Sequence, residues 1–278
     1  MQPAITRLYP PSDKEFPLQG LYLAHGLHNK GVPGYPYVYS NFITSLDGRI
    51  AVASKNRSSH EVPGAVINPR DWRLYQELAG QADLLITSGR FFRQAAIGEE
   101  QDHLPVGHEV EFSDIRDWRK QQGLPDQPDI AVLSSSLDIP LASLEGYRDR
   151  RITVITGGQA KRGRIKTLTD NGIDVIVAGS GKYAEGGEMI TTLGERGYRS
   201  IYAIAGPQVF HTLIKANVLD RLYLTVTHQL LAGEVFDTFT QGAALDPVLG
   251  MNMVSLYHDP HAPPGASQWF TAFEPRKD

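Results

Sequence analysis

Apolar and polar positions alternate along most of this chain in short blocks, and their period switches between that of strands and that of helices. Tyr37 to Ile43 is rich in apolar and β-branched residues and reads as a strand, ended by the polar turn Thr44-Ser45-Leu46-Asp47-Gly48. Asn68-Pro69-Arg70-Asp71-Trp72 starts a helix through about Ala79, with Asn68 as cap and Pro69 in the first position. Leu84 to Thr87 is a short buried strand, and the long polar stretch from Ser88 to Pro128 holds a helix or turn around Phe112 to Gln122. Strands follow at Ile130 to Leu133, Ile152 to Thr156 and Ile173 to Val177. Helices are predicted at Arg162 to Asp170, stopped by Asn171-Gly172, and at Ile190 to Arg196, closed by Gly197. The clearest unit is the strand Ser200 to Ala205, the turn Gly206-Pro207, the helix Gln208 to Lys215 and the strand Leu222 to Val226. Met253 to Tyr257 and Gln268 to Phe273 then read as an antiparallel hairpin. The pattern predicts an α/β fold, a mostly parallel central sheet with helices on both faces and a C-terminal hairpin.

Residues 1–36 have a different texture, rich in Pro, Gly and polar residues with an apolar patch at Leu18 to Leu23. They read as an N-terminal extension that packs on a domain of residues 37–278, or covers a partner subunit. The 27 basic and 31 acidic residues nearly balance, which gives no strong attraction to nucleic acid or membrane. There is no cysteine, so disulfides, thiol catalysis and thiolate zinc sites are excluded. With no signal-peptide core and no apolar run near the ~20 residues of a membrane span, the expectation is a soluble, cytoplasmic protein.

Candidate chemistry gathers at strand ends. Asp47, in a tight turn after an interior strand, is either an Asx-turn residue or a carboxylate at a ligand-binding mouth. Three glycine turns stand between strands and helices, where free N–H groups favour anions. They are Thr156-Gly157-Gly158 followed by Lys161 and Arg162, Gly179-Ser180-Gly181 with Gly186-Gly187, and Ala205-Gly206-Pro207. Each one alone is also explained by glycine's use in turning the chain; three on one sheet favour a dinucleotide with several phosphates. Gly179 to Ala184 fits the dinucleotide fingerprint, but no acidic residue ends the next strand, so a Rossmann reading is set aside. Ser59 and His60 are candidates for binding substrate, with imidazole able to relay a proton, or else part of a solvated turn. The histidines show no metal-ligand spacing, so no metal is expected, and the three tryptophans read as packing residues.

Ser45-Leu46-Asp47-Gly48 resembles the signature that opens the reductase domain of bacterial riboflavin biosynthesis, the C-terminal domain of the bifunctional deaminase-reductase. Ala82 to Arg90 resembles that family's second strand and cofactor loop, and Ile201 to Phe210 with Val218 to Leu222 its late strand–glycine–helix unit. His228 to Gly233 looks like its Pro-x-Leu-Leu-Gly-Gly segment. The motifs run in family order from about Tyr37 to Phe273. The resemblance implies a dihydrofolate-reductase-like fold and a stand-alone NADPH-dependent reductase, since the deaminase's zinc cysteines are absent. It implies hydride transfer to a ribosylamino-pyrimidine such as 5-amino-6-(5-phosphoribosylamino)uracil, and a homodimer in which Leu18 to Leu23 can serve as the interface.

By position it places Ser45 and Asp47 at the nicotinamide–substrate junction. Ser88, Gly89, Arg90, Gly157, Gly158 and Gly206 line the cofactor, and Ser134, Ser135 and Ser136 reach the 2′-phosphate with Lys161 or Arg162. The chain departs from the family at Ala205, where a glutamate is usual, at Phe91, and along Phe92 to Asp102, where the phosphate-holding segment is missing and Glu99, Glu100 and Asp102 repel a phosphate. Two alternatives therefore stand: a reductase of the same fold with another acceptor (pterin, imine or carbonyl), or a nucleotide-binding protein without turnover.

Overall fold

Strand β3 (Tyr37–Ser45) has six of its nine residues buried, the other three half-buried and none exposed, the signature of a strand covered on both faces. The computed structural model describes residues 3–53, 60–100, 103–262 and 265–276. Ahead of β3 run β1 (Ile5–Tyr9) and the two-residue β2 (Glu15–Phe16); after it come the short β4 (Ala51–Ala53) and β5 (His60–Glu61). Helix α1 (Pro69–Ala79), strand β6 (Leu84–Ser88), α2 (Gly89–Ala95), α3 (Ser113–Gln121), β7 (Asp129–Leu133), β8 (Ile152–Thr156), α4 (Arg162–Asp170) and β9 (Asp174–Val177) follow. The last third holds α5 (Gly186–Glu195), β10 (Ser200–Ala203), α6 (Pro207–Lys215), β11 (Arg221–Thr227), β12 (Phe236–Asp237), β13 (Met251–Asp259) and β14 (Gln268–Pro275).

Among the described residues, eleven strands form one sheet in the order β2-β1-β13-β14-β11-β3-β10-β6-β7-β8-β9. From β11 to β9 every pairing is parallel, with Val38 opposite Ile201 and Tyr39 opposite Arg221. From β11 outward through β14, β13, β1 and β2 every pairing is antiparallel. The α/β layout with its closing hairpin is the one the pattern predicts. A second sheet, β12-β4-β5, is built from three short strands.

One face of the large sheet packs Leu74 and Leu78 of α1 against Tyr39, Tyr202 and Tyr223. The other packs Met189 and Leu193 of α5 and Leu213 of α6 against Val38, Ile86 and Ile201. Leu18, Leu21 and Tyr22 are buried in the first of these cores. The apolar patch offered above as a dimer interface is therefore consumed within the chain. Two elements differ from expectation. Helix α2 lies in a stretch read as polar loop, and α5 starts at Gly186 rather than Ile190. The double glycine there looks like a turn, but a Cβ on Gly186 would sit 2.6 Å from the Thr212 carbonyl oxygen of α6. Glycine is present because two helices touch. No described helix is long and apolar enough to cross a membrane.

Candidate active site

The carboxyl ends of parallel strands, where the backbone opens into loops, are where α/β sheets bind ligands. Here β6, β7 and β10 end beside a cleft of about 250 Å³. Ser88, Gly89 and Arg90 come to it from the β6–α2 junction, Ser134, Ser135 and Ser136 from the loop after β7, and Gly206 from the turn before α6. The predicted cofactor residues from these three segments thus share one cavity. Arg93 joins them, with its Nη1 donating to the Asp138 carbonyl at 3.0 Å. A Cβ on Gly89 would meet Ser134 Oγ at 3.0 Å and Arg93 Nη1 at 3.2 Å, so glycine lets the serine and the guanidinium close on the loop. Ser134 Oγ accepts the Leu137 N–H at 3.0 Å, which leaves its hydroxyl hydrogen to give. Arg90 is exposed and pairs with no acid among the described residues. The first turn of α6 faces the same cleft, and a Cβ on Gly206 would meet nothing within 4 Å. Two cations, donor hydroxyls and a helix N-terminus suit a polyanionic nucleotide.

The remaining predicted cofactor residues lie elsewhere. A Cβ on Gly157 would sit 2.3 Å from the Gly181 carbonyl oxygen and 2.6 Å from that of Tyr183, and one on Gly158 2.8 Å from that of Gly179. Their glycine turn is filled by the chain's own 179–183 loop, which carries Tyr183 to the cleft wall. Lys161 and Arg162 are exposed and do not line the cleft.

A second chamber, of about 330 Å³, shares Gly206 with the first. Its walls are aromatic: Trp72 stacks on Tyr75 with centroids 4.8 Å apart, and Phe91 adds a third ring. Asn41, also in the lining, accepts from the Tyr202 hydroxyl at 2.5 Å. Asp71 stands in the first turn of α1, whose cap Asn68 accepts the Asp71 N–H at 3.0 Å. Burial pushes its carboxyl up to about 6, opposed by a hydrogen bond from Thr225. A helix N-terminus favours an anion by about 0.3–1 kcal/mol, whereas a rise from about 4 to about 6 reflects about 3 kcal/mol the other way. Desolvation wins, and the group titrates near neutrality, where general acids and bases work.

Asp47 shows the opposite balance. Its carboxylate accepts from the Ser45 hydroxyl at 2.5 Å, from the Ala232 N–H at 2.9 Å and the Leu231 N–H at 3.2 Å, and pairs with Arg49 at 2.6 Å. These donors, Ser45 first, hold it down at about 2. Ser45 and Asp47 thus fasten the turn after β3 to the 229–233 loop and line neither cavity. His60, on β5, meets Asp237 of β12 at 2.8 Å, and Asp237 lines the cleft. Ser59 and Asp102 lie outside the described residues. Sequence reasoning read Asp71 as part of a helix start and Trp72 as a packing residue, and passed over Tyr75. An acid three residues after a capping Asn looks like ordinary helix-start chemistry, and only the sheet behind it makes it unusual.

Residues 36–259 match the RibD C-terminal domain family. No curated protein sequence matches the chain. Among solved structures, a pyrimidine reductase-like protein from Corynebacterium diphtheriae superposes with a TM-score of 0.66 at 19% identity, covering 87% of this chain and 93% of the other. RibD from Acinetobacter baumannii gives 0.58 at 16% identity, over 87% of this chain and only 58% of its own length. The Saccharomyces cerevisiae riboflavin biosynthesis reductase Rib7 gives 0.58 at 12% identity, over 92% and 99%. The shared architecture is a mostly parallel sheet flanked by helices and closed by an antiparallel hairpin.

Proposed function

Because the chain belongs to the RibD C-terminal domain family, we propose that it is an NADPH-dependent reductase of a small acceptor carrying a C=N or C=O bond. The observation that carries this reading is the meeting of two unlike cavities at Gly206, one lined by arginines and serines, the other aromatic with a half-buried carboxyl. Hydride transfer needs donor and acceptor carbons face to face, and a shared backbone wall brings two ligands to one point. Bound NADPH supplies the hydride. Arg90, Arg93 and the serines Ser134 to Ser136 hold its phosphates, while Ser88, Gly89 and Gly206 let the backbone approach closely. Asp71 gives or takes the proton that balances charge. Ser45 and Asp47 act as positioning residues for the 229–233 loop.

Two acceptors compete. Family membership supports the riboflavin-pathway ribosylamino-pyrimidine. A different acceptor is favoured by the chamber itself, which has no Lys or Arg among its described lining residues to hold a ribose phosphate. Titration with NADPH and NADH by nicotinamide fluorescence tests the cofactor, and loss of nicotinamide absorbance with each acceptor tests the reaction. Arg90→Ala is expected to weaken NADPH about tenfold or more, as loss of a charge-assisted hydrogen bond of about 1.5–3 kcal/mol predicts. Equal NADPH affinity in the variant removes Arg90 from the site. Binding without oxidation of any acceptor points instead to a nucleotide-binding protein.

A further inference from the structure

The two halves of the site differ in charge. The cleft presents Arg90 and Arg93 beside one acid, Asp237, which is paired with His60. The chamber presents Asp71 and Glu100, and its described lining includes no Lys or Arg. Beyond Trp72, Glu100, His103 and Leu104 it continues into an annex of about 310 Å³ that adds Glu109 and Gln76, again without a described cation. Glu100 also holds a buried oxygen, Oε2, with no hydrogen-bond partner among the described residues. A phosphate dianion brought here loses its water and meets carboxylates, at a cost of about 4 kcal/mol per like-charge contact near 4 Å at the effective dielectric of a protein surface. A flat cation or N–H-bearing ring meets aromatic faces and two acceptors instead.

We propose that the acceptor is an unphosphorylated planar nitrogen base, a cyclic imine or an amidine-bearing heterocycle, whose N–H edge is held by Asp71 against the Trp72–Tyr75 wall. This rests on the reductase reading of the same site. On binding, the Asp71 carboxyl gives its proton to the C=N nitrogen and stays paired with it as carboxylate; hydride from NADPH then adds to the carbon, and the π pair becomes the lone pair of the nitrogen, which keeps that proton. Asp71 regains its proton from water, and NADP⁺ and the reduced base leave. Its titration near neutral pH lets one group both bind a cation and return a proton.

The probes are benzamidine, a planar unphosphorylated cation, and uridine 5′-monophosphate, a phosphorylated pyrimidine. Binding of each to the full chain is read by tryptophan fluorescence, with and without NADPH. Benzamidine is expected to bind at least tenfold tighter than the nucleotide, and to lose affinity about tenfold per pH unit below pH 6, as Asp71 takes up a proton. Asp71→Asn is expected to lose tenfold or more and to flatten that profile while NADPH affinity holds. Glu100→Gln, remote from the proton transfer, is expected to lose severalfold. Equal or tighter binding of the nucleotide, or unchanged benzamidine affinity in Asp71→Asn, overturns the proposal. If Asp71→Asn does not fold, the wild-type pH profile and Glu100→Gln decide it, with a flat profile overturning it. Because the probes are compared without cofactor as well, absence of NADPH binding sinks the reductase reading and leaves this comparison standing.

Discussion

Asp47 and Asp71 are treated in opposite ways by one fold, and the difference is a matter of donors. Asp47 has two N–H groups, a hydroxyl and a guanidinium; Asp71 has Thr225 and the underside of a sheet. For Asp71 the folded-state value lies above the unfolded one. Its stabilising effect is therefore present in acid and lost as pH rises from about 4 through about 6. Asp71→Asn is expected to be more stable than wild type at pH 7–8 by up to about 3 kcal/mol. The two should unfold alike near pH 4, as thermal melts across pH will show. A variant less stable at pH 8 contradicts the burial argument. Asp47→Asn is expected to speed hydrogen exchange at the Leu231 and Ala232 amides; unchanged protection there means the carboxylate does not fasten the loop. Asp47 could be picked from sequence because Asp-Gly after a strand is a local signal. Asp71 could not, because its burial is made by a strand more than 150 positions away.

At the scale of elements, the parallel strands were legible because each is an apolar block bounded by turn residues. Glycines were harder to read. Gly157 and Gly206 look alike in sequence, each following a strand and preceding a helix, yet the first is packed against carbonyl oxygens and the second faces open space. Gly157→Ala is expected to cost about 1–3 kcal/mol and to displace Tyr183 from the cleft wall. Gly206→Ala is expected to melt with the wild type, because its φ of −67° suits alanine, but to bind ligands in both cavities more weakly. Thermal melts paired with nucleotide titration separate the two; a destabilised Gly206→Ala would show that the junction is packed rather than open.

Across the whole molecule the sheet is a parallel, helix-covered half joined to an antiparallel half that the N-terminal segment completes. Strand β1 pairs with β13, and Ile5, Leu18 and Tyr22 enter the main core. Deleting residues 1–16 is expected to lower the melting temperature and promote association, since β13 is left with an unpaired edge; a monomer of unchanged stability would show the extension to be dispensable. This part of the fold was not readable, because a strand among prolines and glycines is recognisable only by the hairpin it joins. The wall shared by the two cavities has a practical corollary for inhibitor design. If the proposed ligands hold, a nucleotide fragment for one cavity and an aromatic amidine for the other can be tethered across Gly206 by a linker only a few atoms long. The second fragment then meets its cavity at an effective concentration in the millimolar range, and the joined molecule can exceed either half by 10²- to 10⁴-fold, roughly, without one added contact.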